Sequence, residues 1–355
     1  MIHPLPKRYK PVGSTLHGGM GSVTICDDEV LDRQVAIKFI HSTTHRRRIL
    51  DELSALLKMR SKHVVQVYDI LRFPDDELGI VQEFIDGPDL FDSHQIPASV
   101  TEYYKQLWQI TSGICDIHAL GVIHRDIKPN NMKTDPEGVI KIFDFGLARN
   151  DGPSASTVGF VGTHGFAAPE LYVGSAKFTN AIDTYAFGAT ALFLATGGLP
   201  NELIKKMPPE PSSSGYFSNV GFTISPELIT SLNACLAKEP KNRPPMCEIR
   251  NLLARHILYG RHQALVVFAG NASYLNATNR TVELSLPTIG SIVIYYDGLD
   301  FRITNVSGDV LINNRPVAIN DSLPGPCVVA LGGPLMRANV RKFITFDLSH
   351  PEIVL

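Results

Sequence analysis

One short stretch of this chain places a carboxylate, a lysine and an asparagine at fixed spacing, and a second carboxylate follows downstream. The stretch reads His-Arg-Asp-Ile-Lys-Pro-Asn-Asn over residues 124–131, and Asp-Phe-Gly follows at 144–146. Phosphoryl transfer needs a base that accepts the proton of the attacking hydroxyl and a cation that balances charge on the moving phosphate. Carboxylate and amide oxygens are ligands that Mg²⁺ prefers. The spacing therefore predicts a phosphoryl-transfer site. Its four groups are Asp126, Lys128, Asn131 and Asp144.

A lysine at the end of a predicted strand extends this site upstream. Val-Ala-Ile-Lys, which ends at Lys38, has the β-branched character of a strand, and apolar residues recur at helical spacing over 46–60. A carboxylate on that helix paired with Lys38 would hold the α- and β-phosphates of a nucleotide. We expect this carboxylate to be Glu52, since it lies one turn before Leu56 on the apolar face. Asp51 is the competing candidate.

A glycine-rich turn precedes the strand that carries the lysine. Residues 16–23 read Leu-His-Gly-Gly-Met-Gly-Ser-Val, and glycines let a backbone approach phosphates closely. In the pattern G-x-G-x-x-G-x-V, Leu16 stands in place of the first glycine, and Gly18, Gly21 and Val23 fill the remaining positions. The chain has no G-x-x-x-x-G-K-[ST] loop, and strand-like residues follow the glycines, which argues against a dinucleotide-binding fold.

These motifs together resemble the eukaryotic-type (Hanks-type) serine/threonine protein kinases in their bacterial form, over roughly residues 9–258. The resemblance implies an α+β bilobal protein kinase fold over about 1–260. Its β-rich N-lobe would span about 1–85 and its helical C-lobe about 86–260, with ATP in the cleft between them. It also implies proteins as substrates.

The resemblance assigns a role to each motif residue. Asp126 would be the catalytic base, and Lys128 would neutralise the γ-phosphate, as is typical of Ser/Thr rather than Tyr kinases. Lys38 and Glu52 would complete the catalytic set. Asn131 and Asp144 would hold Mg²⁺. The implied ATP contacts are Leu16, Gly18, Gly19, Gly21, Val23, Ala36, Lys38, the gatekeeper Gln82, the hinge residues Glu83 and Ile85, and Lys133.

Lys133 departs from the family at the floor of the adenine pocket, where an aliphatic residue is usual. A lysine can present its methylene stem to the base and send its amine to solvent. We therefore expect the pocket to be functional.

Other matched residues are expected to be structural. Glu170, which ends Ala-Pro-Glu, should pair with Arg243, and Asp183 should hold the backbone of the catalytic loop. His124 and Phe145 should pack as part of a side-chain stack between the lobes rather than take part in the chemistry.

Residues 147–167 are predicted to form the activation loop, with a polar, turn-forming run inside it. Arg125 precedes the catalytic Asp, as in kinases whose loop is ordered by a phosphate, and phosphate adds about −1.5 to −2 charge that arginine can pair. The alternative is a solvated loop that needs no phosphate. Thr163 is expected to position the substrate. The candidate phosphorylation sites are Ser154, Ser156 and Thr157.

The composition agrees with a cytoplasmic enzyme. The chain has 355 residues, 44% of them hydrophobic, and a formal net charge of −2, which gives no reason to expect a nucleic-acid or membrane partner. Residues 1–10 lack the apolar core of a signal peptide. Five cysteines without close spacing predict neither a disulfide framework nor a zinc site. Cys235 and Cys247 are expected to pack inside helices.

From 261 to 355 the pattern changes to short β-branched runs separated by turns, which predicts a small all-β sandwich domain or a barrel. Hairpins are expected at Asp297-Gly298, Ser307-Gly308 and Asn313-Asn314. Residues 309–317 resemble part of the last third of a forkhead-associated domain. Such domains bind phosphothreonine through an early arginine and an S-x-x-H turn, whereas 287–290 reads Pro-Thr-Ile-Gly. We expect a regulatory or partner-binding role.

The motifs favour an active serine/threonine kinase over two alternatives. A pseudokinase scaffold would explain Leu16 and Lys133 but not the retention of every catalytic and metal-ligating residue. A small-molecule kinase is disfavoured by the Gly-Thr segment at 162–163 and the Ala-Pro-Glu segment at 168–170, which build a platform for a peptide.

Overall fold

The computed structural model divides the chain into two compact units, the first ending at Leu253 and the second spanning Ala254–Val354. Only the backbone is described at residues 16–18, 21 and 41. The described residues are 4–18, 21–41, 53–54, 56–74, 77–145, 165–172, 179–205, 208–211, 215–268, 270–337, 339–349 and 351–354.

The first unit begins with an antiparallel sheet. Its strands are β1 (Tyr9–Pro11), β2 (Leu16–Gly18), β3 (Gly21–Asp28), β4 (Arg33–His41), β5 (Val67–Arg72) and β6 (Glu77–Glu83). Their order is β1-β3-β4-β6-β5, with β2 paired to β3.

Strand β4 shows how this sheet positions the site. Val35, Ile37 and Phe39 lie in the apolar core on one side of the sheet. Because successive side chains of a strand alternate between faces, Ala36 and Lys38 lie on the opposite face.

The rest of the first unit is mostly helical. The helices are α1 (Val100–Ala119), α2 (Ala181–Thr196), α3 (Asn201–Ile204), α4 (Pro226–Cys235) and α5 (Met246–Ile257), and the residues of α5 from Ala254 onward belong to the second unit. A two-stranded sheet joins β7 (Met132–Thr134) to β8 (Ile140–Ile142), and short 3₁₀ turns occupy Pro129–Asn131, Pro169–Tyr172 and Pro240–Asn242.

Helix α2 is buried along almost its whole length, from Ile182 to Ala195. A helix that is apolar on all sides must be surrounded by protein. Gly188 permits one close approach, since a Cβ there would lie 2.8 Å from the Cβ of Cys235 on α4. The helix ends at Gly197, whose φ of 74° is the left-handed conformation that glycine adopts readily.

The second unit is built from strands. They are β9 (Ala264–Phe268), β10 (Asn271–Leu275), β11 (Thr281–Leu286), β12 (Gly290–Tyr296), β13 (Phe301–Gly308), β14 (Val310–Ile312), β15 (Arg315–Pro316), β16 (Cys327–Leu331) and β17 (Lys342–Leu348). Within the described residues they form a sheet ordered β10-β9-β17-β16-β14-β15 and a second ordered β11-β12-β13. Both sheets contribute to one apolar core, with Val266 and Ile344 from the first and Ile292 and Ile303 from the second.

Two of the three predicted hairpins are present in this unit. Asp297-Gly298 lies between the paired strands β12 and β13, and Asn313-Asn314 joins β14 to β15 with φ values of 49° and 63°. The third expectation was wrong. Gly308 ends β13, but the next strand, β14, pairs with β15 and β16. The Ser307-Gly308 turn therefore carries the chain from one sheet to the other.

The cysteine expectation was wrong for one pair of residues. Cys247 on α5 forms a disulfide with Cys115 on α1, with a Cα–Cα distance of 5.5 Å and 132 positions between them in sequence. Because the two helices are far apart in the chain, spacing could not predict this pair. Cys235 is free and buried, as expected. Cys26 and Cys327 are free as well, and burial raises the pKa of each thiol to about 11.

Within the described ranges, every helix is too short or too polar to cross a lipid bilayer.

Candidate active site

Three residues predicted to act in the chemistry converge in the loop between α1 and β7. The Lys128 Nζ lies 3.1 Å from Asp126 Oδ2. The Asn131 Nδ2 donates to the same Asp126 oxygen at 2.9 Å and to the Asp126 main-chain carbonyl at 2.8 Å. With its side chain only 9% exposed, Asp126 is held in one orientation between a cation and an amide donor.

Asp183 on α2 fixes the backbone of this loop. It is fully buried, and its carboxylate accepts hydrogen bonds from the main-chain N–H groups of His124 and Arg125, both at 2.8 Å. Arg125 has a φ of 69°, a left-handed conformation that is costly for a residue with a side chain. The two hydrogen bonds support this strained residue immediately before the predicted base. The expected role of Asp183 is confirmed.

His118 is a further partner of Asp183 that the sequence motifs did not predict. Its Nε2 lies 2.9 Å from Asp183 Oδ2, the oxygen that also accepts the His124 N–H. The signal was available, because His118 lies one turn after the buried Ile114 on the same face of α1.

His124 has the packing role that we expected. Its ring centroid lies 4.8 Å from that of Phe145. The Asp126 N–H points to Nδ1 at 3.3 Å, and Nε2 lies 3.1 Å from the Phe143 carbonyl oxygen. One nitrogen accepts and the other donates, which describes a neutral imidazole. Both nitrogens are thus occupied by the backbone.

Asp144, the second predicted metal ligand, forms an ion pair with Lys38 from the opposite lobe. Lys38 is 8% exposed and lies opposite Val23 in the register of β3 and β4. Asp144 has a φ of 63°, so a non-glycine residue again takes a left-handed conformation beside the site. Folding therefore joins Lys38 to the Asp-Phe-Gly segment. The predicted partner Glu52 and its competitor Asp51 lie outside the described residues.

The predicted hinge follows β6. Gln82 pairs with Ala36 across the sheet, and Ile85 is 7% exposed. The Glu83 carboxylate is engaged elsewhere, because Oε1 forms an ion pair with Lys141 and Oε2 accepts the Gln66 N–H at 3.2 Å. Both oxygens of the Glu83 carboxylate therefore have partners within the protein.

The comparison with family models decides the family. The model described as "Protein kinase domain" matches residues 9–253, which include both lobes and every site residue described above. The chain belongs to the protein kinase domain family.

Curated relatives of this kinase domain include bacterial serine/threonine kinases. A protein named "Serine/threonine-protein kinases drp72" from Corynebacterium efficiens is 34% identical over 197 residues, covering 52% of this chain and 38% of the relative. Probable serine/threonine-protein kinase pknA2 of Bifidobacterium longum is 33% identical over 207 residues, which cover 54% of this chain and 27% of the relative. Serine/threonine-protein kinase pkn3 of Myxococcus xanthus is 30% identical over 268 residues, which cover 68% of this chain and 48% of the relative. The chain thus spans less than half the length of these relatives.

A solved structure supports the same fold. Rad53 1–466 in complex with AMP-PNP superposes with a TM-score of 0.54 at 24% identity, covering 69% of this chain and 64% of that chain. At this level of identity the similarity establishes the kinase fold alone. The bound AMP-PNP is a property of the Rad53 structure.

The expected position of the Lys133 side chain in the pocket of the kinase domain was wrong. Its amine was expected to reach solvent, but Nζ donates to the Ile85 carbonyl oxygen in the hinge at 3.1 Å. It also lies 6.0 Å from the centroid of the Phe143 ring. The physical reason is that β7 carries Lys133 beside a hinge carbonyl, and a charge-assisted hydrogen bond forms there.

The end of the activation segment is tied down as expected for the kinase family. The Arg243 guanidinium donates to both oxygens of Glu170, at 2.6 and 2.8 Å. Its remaining donors reach the carbonyls of Ala181, Ala237 and Lys238. Removing one partner of a buried pair such as this costs roughly 3–5 kcal/mol, although the intact pair adds little net stability.

The structure describes only some of the other predicted residues of the kinase domain. The backbone of the glycine-rich turn is described at Leu16, Gly18 and Gly21, where β2 pairs with β3 and Gly18 lies opposite Gly21. The following lie outside the described residues: Gly19, Ser154, Ser156, Thr157 and Thr163.

Proposed function

We propose that this chain is an active serine/threonine protein kinase that transfers the γ-phosphate of Mg-ATP to serine or threonine hydroxyls of proteins. The convergence of Asp126, Lys128 and Asn131, with Asp144 held to Lys38, carries the proposal. The names of the bacterial relatives support serine and threonine as acceptors. The domain boundaries proposed above, 1–260 for the kinase and 261–355 for the second domain, belong to this proposal.

Three charged side chains have chemical tasks under this proposal. Asp126 accepts the proton of the substrate hydroxyl as that oxygen attacks phosphorus. Lys128, whose ammonium is 3.1 Å from Asp126 Oδ2, lies close enough to stabilise negative charge on the transferring phosphate. Lys38 holds the other phosphates against the N-lobe. Protein kinases act mainly through such positioning and electrostatic stabilisation, because the phosphoryl transition state needs little covalent help from the protein.

The residues around Asp144 fit a magnesium ion. Asn131 directs its amide nitrogen to Asp126, and its Oδ1 forms no hydrogen bond within the described part of the chain. The Asp144 side chain is 27% exposed and supplies carboxylate oxygens. Mg²⁺ prefers such oxygen ligands, and a bound ion would neutralise negative charge on the ATP phosphates. We assign Asn131 and Asp144 as its ligands.

The proposal is tested by incubating the chain with Mg-ATP labelled at the γ-phosphate and a protein substrate. Transfer to serine or threonine supports it. Nucleotide binding without transfer would instead favour the pseudokinase scaffold. Transfer to small alcohols but not to proteins would favour a small-molecule kinase.

We predict autophosphorylation within residues 154–157 of the activation loop, at Ser154, Ser156 or Thr157. A phosphate there would add about −1.5 to −2 charge for Arg125, beside the catalytic Asp126, to pair. Mass spectrometry after incubation with Mg-ATP should find phosphate in this stretch. The Asp126→Asn chain is the control and should remain unmodified. Full activity after all three hydroxyls are replaced by alanine would show that the loop needs no phosphate.

For the second unit we propose a β-sandwich of the forkhead-associated type with a regulatory or partner-binding role. Two sheets with one shared core support the sandwich. The turn at 287–290 argues against binding of phosphothreonine in the way that is usual for forkhead-associated domains. It offers no cationic side chain, and recognition of a phosphate dianion needs donors such as those of arginine.

We predict that this unit does not bind phosphothreonine peptides. The test titrates the full Asp126→Asn chain with phosphothreonine peptides and with the same peptides lacking phosphate. We expect no difference between the two series. Micromolar binding that depends on the phosphate would contradict the prediction and would make the domain a recruiter of phosphorylated proteins.

A further inference from the structure

The hinge carbonyl of Ile85 already has a partner from within the kinase domain. Lys133 Nζ donates to it at 3.1 Å, and the ring of Phe143 lies 6.0 Å from the ammonium, within cation–π range. No carboxylate lies within ion-pair distance of Lys133 among the described residues. The carbonyl is therefore the principal polar partner of this cation within the described part of the chain.

The backbone on both sides of this contact is anchored. Lys133 pairs with Lys141 in the β7–β8 hairpin, and it forms a β-bridge with Asp89 on its other side. The neighbouring Leu90 N–H donates to the Met132 carbonyl oxygen at 2.9 Å. Asp89 and Leu90 follow Ile85 by only a few residues, so backbone hydrogen bonds hold β7, the predicted floor of the adenine pocket, beside the hinge. The ammonium is consequently held near the hinge by fixed backbone segments.

The order of polar groups along a purine edge defines what meets the Ile85 carbonyl. Under the proposed function, the base contacts the backbone at Glu83 and Ile85. Adenine presents, in order, its N6 amino donor, its N1 acceptor and its C2 carbon. If N6 meets the Glu83 carbonyl and N1 meets the Ile85 N–H, then C2 faces the Ile85 carbonyl. Adenine carries only hydrogen at C2, whereas guanine and 2,6-diaminopurine carry an amino group there.

We propose that Lys133 makes the pocket select against purine nucleotides that carry a 2-amino group, because its ammonium occupies the hinge carbonyl that such a group needs. The inference rests on the proposed function, since it assumes that the nucleotide binds at this hinge. A 2-amino group would bring an N–H donor against an ammonium that is also a donor. The Ile85 oxygen has a second lone pair, but an amino group that approaches it would bring its N–H hydrogens beside the ammonium charge, so that either the new hydrogen bond is weakened or the charge-assisted bond to Ile85 breaks.

The test compares the binding of ADP with that of 2,6-diaminopurine riboside diphosphate, by calorimetry in the presence of Mg²⁺. These ligands differ only in the amino group at C2. The wild-type chain should bind the diaminopurine nucleotide about tenfold more weakly, which is the size expected of one donor left unpaired. Lys133→Met keeps a stem of similar length without the charge and should reduce this difference to within about twofold.

Lys141→Met is the matched control. It removes the same charge from the cross-strand neighbour of Lys133, and Lys141 contacts Glu83 and Asp135 rather than the Ile85 carbonyl. This variant should discriminate between the two nucleotides as the wild type does. Lys133→Leu, which has the aliphatic character usual in the family, provides a second variant if methionine impairs folding.

Two results would overturn the inference. One is equal binding of both nucleotides by the wild type. The other is unchanged discrimination in both Lys133 variants, which would place its cause elsewhere in the pocket. Absence of ADP binding to the folded wild type would instead contradict the proposed function, and the inference would fall with it.

Discussion

Replacing Asp126 with asparagine is expected to lower phosphate transfer by roughly 10²- to 10⁴-fold, the usual contribution of a positioned general base. Asparagine keeps the size of the side chain and can still meet Lys128 and Asn131, but it cannot accept the proton of the substrate hydroxyl. Affinity for ATP should be largely intact, because the proposed function assigns Asp126 to the acceptor hydroxyl rather than to the nucleotide. Transfer kinetics and nucleotide titration on the same preparation separate the two effects.

The control for this variant is Asp92→Asn, the same substitution at an exposed residue of the same unit. It should retain the wild-type rate. Near-wild-type turnover in the Asp126→Asn chain would remove Asp126 from the chemistry. Loss of ATP binding in that chain would mean that the substitution disturbs the nucleotide pocket. The lower transfer rate would then not measure the contribution of Asp126 as a general base.

Replacing Lys38 with methionine is the second large effect, with transfer expected to fall by about 10²- to 10³-fold, the usual cost of removing one preorganised electrostatic contact from an active site. The side chain is 8% exposed and pairs with Asp144, so the variant also removes the cationic partner of a carboxylate that we propose as a metal ligand. Unlike Asp126→Asn, it should weaken nucleotide binding. Lys10→Met is the control, since Lys10 lies on the same sheet with its side chain 55% exposed.

The same assay tests the predicted helix partner of Lys38. Glu52→Ala should weaken activity by releasing Lys38, whereas Asp51→Ala should have little effect. If Asp51→Ala proves the more damaging of the two, the helical register that we inferred is wrong.

The sequence by itself determined the catalytic loop. Asp126, Lys128 and Asn131 lie within six positions of one another, so the covalent chain limits their separation, and their pattern predicted the cluster that the structure contains. The alternation along β4 likewise predicted a strand that carries Lys38. The roles of Asp183 and of the Glu170–Arg243 pair were anticipated through the family resemblance, which supplies pairings that no single sequence contains.

Tertiary structure alone decided the contacts between distant segments. Lys38 and Asp144 are 106 positions apart, Lys133 and Ile85 are 48 apart, and Cys115 and Cys247 are 132 apart. The Ser307-Gly308 turn shows the same limit, because its residues predict a change of direction but not which sheet receives the next strand. The physical reason is that local spacing constrains backbone conformation, whereas the partner of a side chain depends on how whole elements pack. Lys133 was therefore expected to reach water, and packing brought it to the hinge.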